Sequence, residues 1–507
     1  MYSSMHDGSA AREHAVMGMQ GYIGPDRLGL AHYNDDVEVT NPIGAARVKH
    51  KLSLHYVRVL PPPGITDNLD LIFLVSVCLV SSQKEASMST VMQGAPDEGM
   101  DGTSLGASLR RFNEPDGIPF KRRDGTVMRK GAWLMVSAAD TLAAADLLGF
   151  KQSFSPAVQG FCWQCYATRS RDHVSAASFL IDSGLPASAY SSAPSVRTKA
   201  SYRDDRVKCK SLPTVRKRGT TQQTAKGLMQ QLGYKTFRHA YKRIPFAHPM
   251  TICPRDLMHI ELEGNLKVHL HGFLHSCVMR YKWFSRKRLN ARLKAFDFGE
   301  HYRRAGARPP QISAKNVKGV KGNKPSRKGT ITMTAGHMLQ FTIYSLEILR
   351  PLLPAAAFES KEYLAWAAHV LYFRVLLRRR FTEATVKKLD CMIYDAQKKF
   401  LAVPHYRPLW KPKNHFAQHI PADIRRFGPP VGYWCMRFEG RADGCIKPAA
   451  VPFLSAAHCV GSILFCSQPR TRSTSALPRW DLGMTFRRLF HSSGRLGPAY
   501  GCCGSAK

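Results

Sequence analysis

The stretch Ala132-Trp-Leu-Met-Val-Ser-Ala-Ala-Asp-Thr-Leu142 runs apolar for the length of one strand and stops at Asp140. Residues 132–137 form a compact apolar run that predicts a strand, and residues 141–148 read as a helix. Asp140 then sits at a strand-to-helix junction, on a sheet rim where a carboxylate can face a ligand. Asp is equally favoured there as a helix N-cap, for backbone reasons alone. Three other stretches set an acid in or beside an apolar run: Tyr33-Asn-Asp-Asp-Val-Glu-Val-Thr-Asn-Pro-Ile-Gly44, Pro254-Arg-Asp-Leu-Met-His-Ile260 and Trp434-Cys-Met-Arg-Phe-Glu-Gly440. Carboxylates delivered from strand ends and a helix into one cleft are what metal-assisted phosphoryl chemistry requires, since hard divalent cations take oxygen ligands.

Composition points to a polyanionic partner. Lys and Arg number 74 against 36 Asp and Glu, a formal charge of +38 with a pI near 10.0, and the excess runs through most of the chain. Some of it is a solvated surface, but an imbalance of this size favours nucleic acid. A chain of 507 residues can bury a large core and predicts two or three domains. Its 13 cysteines lack the dense regular pattern of a small secreted scaffold, and no signal peptide opens it, so an intracellular, reducing compartment is expected. The longest apolar run, residues 69–80, falls short of the roughly 20 residues of a spanning helix. It predicts a buried helix or strand and no membrane segment.

Along the chain, residues 1–30 show no periodicity and read as irregular. Asp35 and Asp36 lie on opposite pleat faces of a first strand. Residues 87–130 are loop-like, with short strands at 118–120 and 126–128. Phe161-Cys-Trp-Gln-Cys165 is a knuckle whose Cys162 and Cys165 can hold Zn²⁺, yet a structural site needs four ligands and no second knuckle follows. Cys209, Cys253, His173 or His259 are the candidates to complete it, and a reduced, half-buried cysteine pair is the competing reading. Residues 171–250 read as a basic connector ending in a helix near 225–232. Asp256 lies three before His259, which puts both on one helical face, suited to metal or phosphate contact and to bonding each other. An N-capped helix start accounts for the same spacing.

Arg280, Lys282, Arg286, Lys287, Arg288, Arg292 and Lys294 interleave with Tyr281, Trp283, Phe284 and Phe296. Basic residues beside aromatics suit backbone contact with stacking on exposed bases or sugars. Residues 303–328 add nine more basic residues and predict a mobile loop. From 333 to 426 the pattern turns helical, with helices expected at 337–350, 361–380 and 382–403, prolines as breakers, and an Ile343, Leu346, Leu349 stripe as a bundle core. His415 and His419, four apart, read as packing or phosphate contacts and are assigned no metal. Residues 446–507, rich in Ser, Arg, Pro and Gly, predict disorder.

These blocks, with Lys411-Pro-Lys-Asn-His-Phe-Ala-Gln-His-Ile420 and Arg426-Phe-Gly-Pro-Pro430, resemble the CACTA, KDZ and hAT superfamilies of cut-and-paste DNA transposases. The likeness covers roughly residues 30 to 445 as short islands in variable sequence. It implies an α/β fold: an RNase H-like mixed sheet interrupted by an all-helical insertion, with disordered basic linkers and tail. The first part of that core would span 31–170, the Asp-x-x-His segment and basic helix 251–300, a basic loop 301–330, the insertion 331–428, and the end of the core 429–445. By the same resemblance Asp35, rather than Asp36, joins Asp140 and Glu439 in holding Mg²⁺ or Mn²⁺. Asp256 and His259 match the Cys/Asp-x-x-His signature and would position the strand or support the metal. DNA is the implied partner, a homo-oligomer the implied assembly and the nucleus the implied location. Beyond Gly440 the likeness stops, for relatives continue with a Lys-His pair and further helices. Two other readings stay open: a nucleic-acid-binding remnant without catalysis, and a zinc-dependent nuclear interaction module around Cys162 and Cys165.

Overall fold

The computed structural model describes residues 1–11, 27–38, 51–60, 71–81, 83, 87–93, 105–112, 117–121, 124–153, 160–167, 196–215, 223–244, 247–299, 308–317, 319–320, 324–325, 331–436 and 438. The chain is a mixed α/β protein. Its sheet has five strands, β1 (Arg27–Glu38), β2 (Lys51–Leu60), β3 (Ile72–Leu79), β4 (Ile118–Lys121) and β5 (Val127–Ala139), in the order β3-β2-β1-β5-β4. The first three form an antiparallel meander, β5 runs parallel to β1, and β4 is an antiparallel edge on β5. The apolar run at 69–80 thus became β3, and the run at 132–137 became the inner half of β5, buried from Gly131 to Ala139. Being flanked on both sides and covered on both faces, β5 reads as a continuous apolar run rather than an alternation.

A bulge sets the phase of the central pair. Leu30 faces Leu134 but Ala31 faces Val136, so Met135 is the extra residue on β5. The ladder ends with Asn34 opposite Ala139, and the next residues out are Asp35 and Asp140. Because the strands are parallel, both acids emerge at the same edge of the sheet.

Five short helices accompany the sheet: α1 (Met88–Gln93), α2 (Leu105–Phe112) and α3 (Thr141–Leu147), of which α2 and α3 pack on β5, and α4 (Lys199–Lys210) and α5 (Ala225–Gln231), which pack on each other. Asp140 caps α3 by accepting from the Ala143 N–H at 2.6 Å, so the capping reading of this residue holds. The region read as loop at 87–130 contains α1 and α2, and the basic connector contains α4, whose N-terminus Thr198 and Ser201 close reciprocally. Neither was legible, because short helices on a sheet take their stability from packing rather than propensity. The N-terminus is likewise docked rather than irregular. Tyr2 and Phe381 exchange backbone hydrogen bonds at 2.6 and 2.8 Å, and Met5, Ala10 and Ala11 are buried with Trp133, Phe427 and Tyr433.

The second half is helical. A continuous helix, α6, joins a π-type segment Met258–Asn265 to Leu266–His275 and to Ser276–Arg280. It is followed by α7 (Arg286–Ala295), α8 (Ala335–Leu349), α9 (Lys361–Leu376), α10 (Glu383–Leu401), α11 (Pro412–Ala417) and α12 (Ile420–Phe427). The three expected helices are α8, α9 and α10, each with a Thr or Ser cap accepting from the third residue on. Part of the loop expected at 301–330 is anchored. Ile312 trades backbone hydrogen bonds with the Asn290 amide at 2.8 and 3.0 Å, and the Asn316 carbonyl meets His271 Nδ1 at 2.6 Å.

A buried polar chain ties α6 to α9 and α11. Glu261 accepts from Asn265, from the Tyr372 hydroxyl and meets His369 Nε2 at 2.8 Å; His369 Nδ1 meets His269 Nδ1 at 2.6 Å, and His269 Nε2 meets Asn414 Oδ1 at 3.0 Å. Asn414 donates its amide to the Lys411 carbonyl at 3.2 Å, which leaves Oδ1 as the acceptor of a proton on His269 Nε2. Nδ1 of His269 is then an acceptor and Nδ1 of His369 the donor. The chain is directional, and it fixes the segment 411–414 against α6.

Candidate functional site

Two constellations stand out, one at the sheet edge and one behind it. At the edge, Asp35 and Asp140 follow register partners on neighbouring parallel strands, which run about 4.8 Å apart. Asp35 accepts from the Asp36 N–H at 2.8 Å. Burial pushes its carboxyl above the usual range and the charge of Asp140 adds to this, against lowering by the Tyr33 hydroxyl and by His259. A raised carboxyl between a second acid and a histidine is a group short of positive charge, the condition a divalent cation relieves.

Asp256 is fully enclosed. One oxygen accepts from both the backbone N–H and Nδ1 of His259, at 2.8 and 2.7 Å, and the other accepts from the Cys435 N–H at 2.7 Å. Burial raises its carboxyl, but these bonds and the His259 ring outweigh it and hold it below the usual range. Asp256 therefore spends its oxygens on N–H donors. It caps the start of α6, orients His259 and holds the backbone at Cys435. Cys435 stands near enough to join Asp256 and His259 as a third donor, but with both carboxylate oxygens engaged this group is a hydrogen-bond hub. Phe438 stacks on Tyr33 with centroids 4.5 Å apart, two residues before Asp35 on the same face of β1. Glu439 lies outside the described residues.

At the knuckle two histidines from the helical half face the two thiols. Cys162 Sγ is 3.4 Å from His419 Nε2, Cys165 Sγ is 3.2 Å from His415 Nε2 and 3.5 Å from His419 Nε2, and the two Nε2 atoms are 3.1 Å apart. Tetrahedral coordination with Zn–S of about 2.3 Å and Zn–N of about 2.0–2.1 Å puts S and N about 3.5 Å and two N atoms about 3.3 Å apart. The donors are spaced for one such ion. Of the candidates to complete the knuckle, Cys209 and Cys253 are buried elsewhere, His259 belongs to the acidic edge and His173 lies outside the described residues; the side chains that face the two thiols are His415 and His419. His415 sits in α11 and His419 at the N-cap of α12, so the turn between two short helices presents both rings together.

The charge state suits the same role. Burial raises the Cys162 thiol, yet its hydrogen bond with Cys165 and the rings of His419 and His415 outweigh this and leave it well below an ordinary thiol. Cys165 is pushed up by that same bond and by burial. Burial lowers His419, keeping its ring neutral, as a ligand must be.

Supporting contacts lock the knuckle. Arg197, fully buried, donates Nε to the Cys162 and Cys165 carbonyls at 3.1 and 3.0 Å and Nη2 to the Leu232 carbonyl at 2.6 Å, with its guanidinium 4.0 Å over the Tyr166 ring. Arg255 pairs with Asp423 at 3.2 Å, and Gln164 donates to the same carboxylate at 2.9 Å. Gly160 and Gly233, both at positive φ, touch backbone to backbone: a Cβ on Gly233 would land 1.7 Å from the Gly160 carbonyl oxygen. Arg197 carries no local signal in the sequence, since its partners are carbonyls of a distant loop.

The basic stretch around α7 is partly as expected. Arg280, Lys282, Lys287, Arg288 and Lys294 are exposed, and Arg286 and Arg292 half-buried. The aromatics, however, serve packing more than stacking on bases. Phe284 is buried, Trp283 packs on the core, and Tyr281 stacks on Trp283 while donating to Glu362 at 2.8 Å. Among the described residues no helix is long and apolar enough to cross a membrane. No protein-family profile matches the chain, and no curated protein matches it.

Proposed function

We propose that this chain is a transposase-like nucleic-acid-processing protein with an RNase H-like core, acting in the nucleus on DNA. The observation that carries the reading is the emergence of Asp35 and Asp140 side by side from the parallel pair β1 and β5, beyond the Asn34 and Ala139 partners. The meander β1-β2-β3 with a parallel strand on the other side of β1 supports the same fold. Asp35 and Asp140, with Glu439 as the third acid, would hold Mg²⁺ or Mn²⁺, which when bound activates the attacking oxygen and stabilises the leaving one. The chain's own residues prepare the site. Asp256 fixes the tautomer and orientation of His259, and the same carboxylate anchors the backbone that leads to residue 439. The Cys162, Cys165, His415, His419 centre would hold a structural Zn²⁺ that staples the exit of the helical block to the sheet, because a four-ligand site leaves no open position for chemistry. The exposed cations of α7 supply sequence-independent backbone contact.

The test is Mg²⁺-dependent nicking of supercoiled DNA by the purified full chain, with Asp140→Asn and Glu439→Ala as controls. Nicking that disappears in both supports the reading. A wild-type chain that binds DNA but never nicks it leaves a binding protein without catalysis, and nicking that survives both changes belongs to another site or a contaminant.

A further inference from the structure

We propose that Lys413 is the phosphate-contacting cation of the acidic cleft, gripping one backbone phosphate of the nucleic acid beside Asp140; this rests on the nucleic-acid reading above. The lysine is delivered across α6 rather than out of a loop. Gly264 opens the path, since a Cβ there would meet Lys413 Cδ at 2.5 Å, and Nζ ends on the His259 carbonyl at 2.6 Å. His259 is the residue whose ring Asp256 holds at 2.7 Å, so the ammonium is anchored to the same backbone as the cleft. The main chain of Lys413 is itself pinned, its carbonyl accepting from the Asn265 amide at 3.1 Å. Burial lowers the ammonium, the charges of Glu263, Asp140 and Asp256 act to keep it protonated, and Lys267 opposes them.

A carboxylate-lined cleft repels phosphate, and each added anion makes the approach worse. A cation fixed at its rim by backbone and glycine, with three N–H donors of which the His259 carbonyl takes one, offsets that repulsion and orients the incoming phosphate. Lys287, Arg288 and Lys294 of α7 are exposed and serve the flanking duplex, whereas Lys413 is half-buried.

The test is the salt dependence of binding of the full chain to a short DNA duplex in Ca²⁺. Lys413→Met should bind severalfold more weakly, with a log K against log salt slope shallower by about 0.9, the value for one lost phosphate contact. Lys413→Arg should keep the wild-type slope, and both variants should retain wild-type zinc content. A Lys413→Met chain with unchanged slope and affinity overturns the proposal. Since the slope needs no cleavage, failure of wild type to nick DNA would defeat the RNase H-like reading while the slope still decides Lys413. Should Lys413→Met lose zinc, lysine-selective reductive methylation of wild type decides instead: protection of Lys413 by DNA supports the contact, and equal labelling with and without DNA overturns it.

Discussion

Removing the Cys162, Cys165, His415, His419 centre is the perturbation with the largest expected effect. The donors close a loop from residue 162 to residue 419, so an ion there joins the knuckle beside the sheet to the turn between α11 and α12. Structural zinc in Cys₂His₂ sites binds with an apparent free energy of about 10–16 kcal/mol near neutral pH, comparable to the about 5–15 kcal/mol by which a whole domain is stable. Even at a free zinc concentration of about 1,000 times Kd, the metal stabilises the folded state by about 4 kcal/mol. For a chain of this size that is a change in Tm of about 4 °C. The assay is thermal unfolding of the full chain as purified, after chelation, and after zinc is restored, alongside metal analysis of wild type and of Cys162→Ser, Cys165→Ser and His419→Ala. One zinc per chain in wild type, little in each variant, and a Tm drop that zinc reverses only in wild type are expected. Cobalt substitution should give the absorption of a tetrahedral site with thiolate ligands. Equal metal content across the four proteins, or a Tm indifferent to chelation, would refute the reasoning and leave a reduced cysteine pair beside two histidines.

Further outcomes follow from single residues. Arg197 also pairs with the buried Asp205 at 3.6 Å, so Arg197→Met should destabilise the chain by about 3–5 kcal/mol, the range for stripping one partner from a buried ion pair, and release zinc, because its guanidinium holds both cysteine carbonyls; a variant that keeps metal and Tm would sink this account. His55 is buried against His32 and Asn34 at 3.2 and 3.4 Å, and burial lowers it to about 4. The unfolded chain takes up this proton near pH 6.5 and the folded chain only near 4, so stability should fall as pH drops through that window, by up to about 3 kcal/mol from this group. Unfolding of His55→Asn between pH 7 and 4 should show a flatter profile than wild type, and superimposable profiles would count against it. Replacing Lys287, Arg288 and Lys294 together by Ala should reduce the salt slope of DNA binding by up to about 2.7, measured by filter binding from 50 to 200 mM salt; no change would move the interface elsewhere.

Much of the fold could be read along the chain wherever the determinants are local. The β5 to α3 junction was legible because an apolar run ends at a residue whose side chain can cap the next helix. The helices α8, α9 and α10 were legible because Thr334, Ser360 and Thr382 cap them and prolines follow α8 and α10. The 69–80 run announced a strand or helix by its length, though β3 at the sheet's edge is buried only at Ile72 and Cys78 and half-buried between them. In contrast α1, α2 and α4 went unread, for each is held by what it lies on. The docking of residues 1–11 was equally silent, since Gly8 and Gly428 take their meaning from each other's backbone: a Cβ on Gly8 would sit 2.0 Å from the Arg426 carbonyl oxygen, and one on Gly428 would sit 2.2 Å from that of Ser4.

The candidate site divides along the same line. Each half of the Cys162, Cys165, His415, His419 cluster has its own local spacing, Cys-x-x-Cys and His-x-x-x-His, and each half alone admits an ordinary packing explanation. A metal ion reads only the positions of four donor atoms, and nothing in either half encodes the 253 positions from Cys162 to His415. Strand pairing works the same way for the acids. That Asp35 and Asp140 are acids at strand ends is written in the chain; that they are neighbours follows from β5 choosing β1 as its parallel partner and from the extra residue at Met135, which turns both side chains to one face. Local chemistry thus named most of the residues, while long-range pairing, a property of the packed sheet and helices together, chose which of them meet.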